Sequence, residues 1–342
     1  MRNFCILAIC MLILSCSGKR QSHRYAELEI DIIWEDSVSI RAIEIMPGSL
    51  AFAADQGIFG SVDLQTHKVR TSVQRYDSIL PHFRAVAHTD TDFFMLSIAS
   101  PALLYKTGNE GRMELVYKEE DPKVFYDAMT FWDNKEGIAV GDAMNGCLSI
   151  LITRDGGTQW EKLDCSKLPK ALPEEGAFAA SNSNIAVIGD KTWVATSKGR
   201  VLYSDDRGKS WEVFQTPVNG VEATHGIYSL SFWDNKLGVA FGGDYTKPDR
   251  NTANKAITLD GGKSWELLAE GLPPGYKSCV QFIPGGGGED LVALGFTGIA
   301  YSTDQGKSWE ELSDEPFYTL RFLNDSIAYA AGKNRIARLR FK

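Results

Sequence analysis

An eight-residue phrase ending in tryptophan occurs four times in the chain, at 153–160 (TRDGGTQW), 204–211 (SDDRGKSW), 258–265 (TLDGGKSW) and 302–309 (STDQGKSW). The shared pattern is Ser/Thr-x-Asp-x-Gly-x-Ser/Thr-Trp, broken only where Gln159 replaces the second hydroxyl. Successive copies begin 51, 54 and 44 residues apart, a period that belongs to one repeated supersecondary unit. An active site is usually built once, so a device built four times is structural.

The phrase has a local mechanism. A strand runs into the Ser/Thr, and the aspartate (Asp155, Asp206, Asp260, Asp304) accepts hydrogen bonds from backbone N–H groups of the turn after it. The glycine takes a positive φ that other residues resist. The chain then returns as an antiparallel strand starting at Trp160, Trp211, Trp265 or Trp309, whose ring packs between neighbouring sheets. Each copy is read as a hairpin loop stapling two strands of a propeller blade.

Stepping back 46 residues from Thr153 reaches Thr107-Gly108-Asn109-Glu110-Gly111, a decayed copy; another 46 gives Ser61-Val62-Asp63. Alternating strands precede each loop, best seen in 126–142 and 228–244, where Phe-Trp-Asp-Asn-Lys is the turn in both. That makes six complete units. Residues 318–323, 326–331 and 335–341 read as three further strands with no tryptophan loop, and 27–34 (ELEIDIIW) is a strand with no partners of its own. The expectation is an all-β, seven-bladed β-propeller of four-stranded antiparallel blades. The N-terminal strand completes the last blade and removes the exposed edges. Residues 25–342 form one domain.

The N-terminus addresses the compartment. Arg2 precedes an apolar run from Phe4 to Leu14, too short for a membrane span and suited to a signal peptide at 1–15. Ile13-Leu14-Ser15-Cys16 resembles a bacterial lipobox, which implies cleavage before Cys16, lipidation of its thiol and a polar tether over 16–24. The expected product is a monomeric lipoprotein of the bacterial cell envelope, at the outer membrane and facing periplasm or cell surface. Losing Arg2 takes the net charge from −8 to −9, and an acidic body argues against nucleic acid. Cys147 and Cys165 lie symmetrically about residue 156; in an oxidising compartment they either bridge across the hairpin or remain two buried thiols. Cys279 reads as core. Five dispersed histidines and three remaining cysteines offer no metal-ligand spacing, and no cofactor is expected.

These loops are the Asp-boxes (BNR repeats) of sialidases and related propellers. With Glu175-Gly176-Ala177-Phe178-Ala179-Ala180-Ser181-Asn182 and Gly242-Gly243-Asp244-Tyr245, the chain resembles the photosystem II stability/assembly factor family over roughly residues 35–342. Bacterial relatives of that family are often labelled oxidoreductases. The resemblance implies a non-enzymatic module that binds a partner protein, here an envelope protein. Sialidase chemistry is argued against by the missing Arg-Ile-Pro, of which Ile40-Arg41-Ala42 is the nearest phrase. A different glycosidase needs two carboxylates flanking a cleft, with Asp127, Asp142, Glu174, Glu175 and Asp244 as candidates. The alternative to a protein-binding module is therefore a carbohydrate-active propeller, hydrolase or lectin. Redox chemistry lacks a G-x-G-x-x-G after a strand and a C-x-x-C.

The face opposite the tryptophan loops collects the connections between blades. There the longest insertion, 244–255 (DYTKPDRNTANK), carries Tyr245, Lys247, Asp249 and Arg250. The innermost strands begin with a column of Arg41, Arg84, Asp127, Ala179, Ser229, Ser278 and Thr319, with His225 just before the fifth unit. Arg41, Arg84, Asp127, His225, Tyr245, Lys247, Asp249 and Arg250 form the candidate binding face, a mixed polar surface for an acidic peptide or a glycan.

Overall fold

The computed structural model describes Tyr25, residues 27–108 and residues 111–342. The signal peptide, Cys16 and the tether lie outside the described residues, as do Asn109 and Glu110. Among the described residues no helix is long and apolar enough to cross a membrane.

Five antiparallel sheets of four strands follow one another as up-and-down meanders. Their first strands include Phe83–His88, Tyr126–Phe131, Ile185–Ile188, His225–Phe232 and Cys279–Phe282, and these pack on one another around the centre. Alternation explains the burial: Ala85, Ala139, Leu151, Val194 and Leu294 point into contacts between neighbouring sheets and are fully buried. The core is a series of apolar layers between sheets.

The sixth sheet has six strands, in the order Thr319–Phe322, Ile327–Phe341, Leu28–Met46, Ser49–Ala54, Ile58–Asp63 and Val69–Val73. This corrects the expected count: among the described residues the propeller has six sheets, not seven blades. The reason lies in one strand. Leu28–Met46 is 19 residues long. Its first part pairs with the C-terminal segment, from Leu28 opposite Phe341 to Glu35 opposite Arg335, and its second with Ser49–Ala54, from Ile40 opposite Ala54 to Met46 opposite Ser49. The N-terminal strand does not stop after closing the ring, so two strand sets expected as separate blades are hydrogen-bonded into one sheet.

The tryptophan loops are built as their chemistry requires. In the second copy Ser204 Oγ donates to Asp206 Oδ1 (2.8 Å), which also accepts the Lys209 and Ser210 N–H groups at 2.9 Å each. The Gly208 N–H donates to Ser204 Oγ (2.7 Å) with φ at 77°, and Trp211 Nε1 donates to the Gly208 carbonyl (3.1 Å). The other copies repeat this pattern around Asp155, Asp260 and Asp304. Burial works against ionisation of Asp206, Asp260 and Asp304, but these donors outweigh it and hold the carboxyls below their usual range. Trp160 sits edge-on to Phe94 and Phe131 of two different sheets, and Trp265 and Trp309 do the same with Phe232 and Phe241.

Cys147 and Cys165 are bridged, with Cα atoms 5.5 Å apart. The bridge ties the start of strand Cys147–Thr153 to a 3-10 turn, Cys165–Lys167, that follows the return strand. Cys279 is buried and free.

Candidate functional site

The inner strands reach the mouth of the central channel through a repeated irregularity. In strand Leu28–Met46 the pairing steps from Ile40 opposite Ala54 to Ala42 opposite Ala53, so Arg41 is an extra residue. Arg84 is skipped in the same way between Phe83 and Ala85, Asp127 between Tyr126 and Ala128, and Tyr228 between Ile227 and Ser229. A β-bulge bends its strand and re-aims one side chain. Four inner strands thus use equivalent bulges to present Arg41, Arg84, Asp127 and Tyr228 at one end of the channel. The expected column placed the first three there and missed the fourth by one position, naming Ser229.

Below the mouth the channel is plugged by the chain itself. Asn182 accepts the Met129 N–H (2.9 Å) and donates to the Val86 carbonyl (2.8 Å), bridging two inner strands. Ser181 Oγ donates to the Ser278 carbonyl (2.6 Å), and its own carbonyl accepts from Thr319 Oγ1 (2.8 Å). The Leu230 N–H donates to the Ser183 carbonyl (2.7 Å), and Arg321 Nη2 donates to the Asn182 carbonyl (3.0 Å). Ser181, Asn182, Ser183 and Asn184 are all buried. The end of the stretch singled out in the sequence, Ser181 and Asn182, together with Ser183, is therefore the channel's cross-brace.

On this brace rests a cavity of about 610 Å³, whose floor is Gly176, Ala177, Phe178, Ala179 and Ala180. Its walls divide by chemistry. Arg41 and Arg84 form one side, and Asp142 and Glu174 another. Most of the remainder is aromatic, including Phe178, Tyr228, Tyr245, Tyr276, Phe296 and Tyr318. The Arg41 guanidinium lies 4.0 Å above the Tyr318 ring and donates one hydrogen bond, to the Ala180 carbonyl at 3.4 Å. Arg84 Nε donates to His82 Nε2 (3.2 Å), which requires an unprotonated nitrogen there. Burial and the Arg84 charge push the His82 pKa down to about 4. Burial, reinforced by Arg41, lowers Arg84 itself to about 10. Among the described residues neither arginine is in an ion pair. Two half-buried guanidiniums side by side, neither in an ion pair and with Asp127 and Asp55 acting on Arg84 only beyond ion-pair distance, form an electrostatic invitation to an anion.

Asp127 and Asp142 complete the site. Asp127 is fully buried, with the Ala177 and Ala179 N–H groups acting on its carboxyl. Burial above all, then the Asp142 charge, raises its pKa well above the usual carboxylate range, against the pull of Arg84. Asp142 accepts the Ala177 N–H (3.1 Å), and burial raises it to about 6.

The remaining candidates sit apart. His225 is buried, facing Asn219 Nδ2 (3.3 Å) and Glu222 (3.5 Å), and burial lowers its pKa. Lys247 and Arg250 turn to Glu222, Arg250 at 2.6 Å; Asp249 is exposed. From the insertion only Tyr245 lines the cavity. Among the carboxylates considered for glycoside hydrolysis, Glu175 is buried in an ion pair with Arg200. Asp244 is buried, which opposes its ionisation, yet the Thr246 hydroxyl (2.7 Å) and N–H (2.9 Å) hold it down to about 2. Asp142 lines the cavity but Asp127 does not, so the two do not flank a cleft. Among the described residues no three His, Cys, Asp or Glu side chains are grouped to hold a metal. Sequence reasoning missed Tyr276, Phe178 and Tyr318, which stand on loops between sheets, and Phe296, in the hairpin turn between strands Leu291–Gly295 and Gly298–Ser302, where no periodicity marks them.

Comparison with known proteins fits this geometry. The BNR/Asp-box repeat model matches residues 202–213 and 300–311. A solved structure described as YCF48 bound to D1 peptide matches 94% of this chain and 99% of its own, with a TM-score of 0.65 and 13% identity. The chain is an Asp-box β-propeller resembling YCF48. YCF48 from Cyanidioschyzon merolae matches over 92% of this chain and 98% of its own, with a TM-score of 0.62 and 12% identity. The fold is shared more widely: U3-55K matches over 91% and 98%, with a TM-score of 0.66 and 12% identity. No curated protein matches the sequence.

Proposed function

We propose that this chain is a lipid-anchored envelope propeller that acts as a non-catalytic protein-binding or assembly module, holding an acidic segment of its partner in the cavity at the channel mouth. The observation that carries the reading is the pair Arg41 and Arg84, unpaired cations at the wall of a concave site on an otherwise acidic protein. Carboxylates bind such forks bidentately. The YCF48 structure bound to a D1 peptide supports a peptide as the class of ligand. Lipid anchorage rests on Ile13-Leu14-Ser15-Cys16.

The test is affinity purification of the full-length protein from crosslinked cells, beside Cys16→Ala and Arg41→Ala/Arg84→Ala variants. One dominant envelope protein is expected with the parent and lost with the double arginine variant, while Cys16→Ala moves the propeller out of the membrane fraction. Retention of the same partner by the arginine variant would sink the placement of the interface. A Cys16→Ala protein that stays in the membrane fraction would sink the anchor.

A further inference from the structure

The aromatic part of the cavity has more built structure than an anion site requires. Tyr228 and Phe178 stack in parallel with centroids 3.7 Å apart, and Tyr276 stands edge-on to Tyr228 at 4.9 Å. Both tyrosines are buried and tied down: the Tyr228 hydroxyl donates to the Thr224 carbonyl (2.9 Å), and the Tyr276 N–H donates to the Pro248 carbonyl (2.8 Å). Two further rings flank Tyr276, Tyr245 at 6.4 Å and Phe296 at 5.2 Å. These two are 48% and 40% exposed. A rigid aromatic base with two large rings left in solvent is an unfilled apolar corner, and it opens into the same cavity as the arginines.

We propose that this corner is a second subsite, which seats a bulky aromatic side chain of the partner segment next to the carboxylate taken by Arg41 and Arg84. The inference rests on the reading of the arginine face as the acidic-segment site. Three observations choose this occupant. The cavity, about 610 Å³, lies in the size range that encloses a few side chains. The flanking rings are inclined to Tyr276 by 73° and 33°, giving converging walls that suit a ring packed edge-on or offset; a flat platform would suit a sugar. Finally, Arg41 already covers Tyr318. A cationic side chain would therefore meet a charge of its own sign at the aromatic wall, whereas a neutral ring beside an acid meets complementary surfaces on both counts.

The experiment is fluorescence anisotropy of the full chain in detergent with three labelled hexapeptides: Gly-Asp-Phe-Asp-Phe-Gly, Gly-Asp-Ala-Asp-Ala-Gly and Gly-Asn-Phe-Asn-Phe-Gly. The acidic aromatic peptide is expected to bind at least tenfold more tightly than either of the others. Tyr245→Ala and Phe296→Ala should bring its affinity down to that of the acidic alanine peptide and leave the latter unchanged. Arg84→Ala should weaken both acidic peptides by the same factor. Equal binding of the two acidic peptides, with no effect of the ring truncations, overturns the aromatic subsite and leaves the arginine site standing. Insensitivity of every peptide to Arg84→Ala overturns the acidic-segment reading itself. Displacement of the acidic aromatic peptide by chitotetraose, in a variant-dependent way, overturns both in favour of a glycan.

Discussion

Asp142 lines the same cavity as Arg84, and Asp127, buried beside Asp142, comes from the neighbouring strand at its bulge. Burial and then the Asp142 charge raise the Asp127 pKa well above the usual carboxylate range, outweighing Arg84, which favours its ionisation. Asp142, by contrast, gains its charge as pH rises through about 6.

This gives a pH dependence with a definite sign. The folded-state pKa of Asp142, about 6, lies above its ordinary value of 3.8, and Asp127 is raised too. The folded protein therefore holds more protons than the unfolded chain between about pH 4 and 6, and this pair's contribution falls as pH rises through that window. With the cavity's solvent softening the effect, about 1–3 kcal/mol is at stake at Asp142. Melting curves from pH 4.5 to 8 should show Asp142→Asn gaining on the parent as pH rises. Parallel curves would mean that the pair does not titrate in this range.

The tryptophan loops offer a gain-of-stability test. In three copies the second hydroxyl, on Ser210, Ser264 or Ser308, donates to its aspartate Oδ2 at 2.6 Å. Gln159 leaves Asp155 without that bond in the first copy. Gln159→Ser should restore it and add about 0.5–1.5 kcal/mol, raising Tm by roughly 1–4 °C. Asp206→Ala removes the acceptor for two backbone N–H groups and should cost about 1–3 kcal/mol. A neutral result for both would remove the loops from the account of stability.

What the sequence disclosed, and what it withheld, divides by the range of the interaction. The Asp-box is closed within eight residues, so its hydrogen bonds were readable from Ser204, Asp206, Gly208 and Trp211 alone. Arg41, Arg84 and Asp127 were placed at the channel mouth because their strands keep the repeat's phase. Tyr228 escaped because a bulge shifts register by one residue and leaves no compositional mark. The sheet count was misjudged because alternation over 27–34 cannot show that the same strand continues past Val38 into a second pairing. The aromatic corner joins loops more than a hundred residues apart, from Phe178 to Phe296, which is a distance no local pattern spans.

Ring closure carries its own consequence. Leu28 to Glu35 hold the C-terminal segment, and Tyr25 packs on Tyr301 and Phe341 with centroids 5.6 Å away in each case. Deleting residues 25–35 uncovers Ile336, Ala337 and Leu339, all fully buried, and leaves an unpaired edge. At 1.5–3 kcal/mol per large apolar side chain, a loss of about 5 kcal/mol and a Tm lower by roughly 10 °C or more are expected. A truncated protein that melts cooperatively at the parental temperature would show that the ring does not depend on this strand.

The channel brace predicts a coupling between the core and the cavity. Asn182→Ala would leave the Met129 N–H and the Val86 carbonyl buried without partners, since the side chain now serves both. Each orphaned group costs about 1–3 kcal/mol, so a total near 2–5 kcal/mol is expected from denaturant melts. The structural signature is more specific than the magnitude. Hydrogen exchange at the Met129 amide should accelerate, while amides of the tryptophan loops, closed by their own aspartates, keep their protection relative to global unfolding. Because the floor Ala177–Ala180 leads directly into Asn182, binding of Gly-Asp-Phe-Asp-Phe-Gly should weaken in the same variant at temperatures well below its melt. If exchange quickens everywhere alike, the segment is only one more part of a uniform core; if it quickens at Met129 with peptide binding intact, the brace holds the channel but not the cavity.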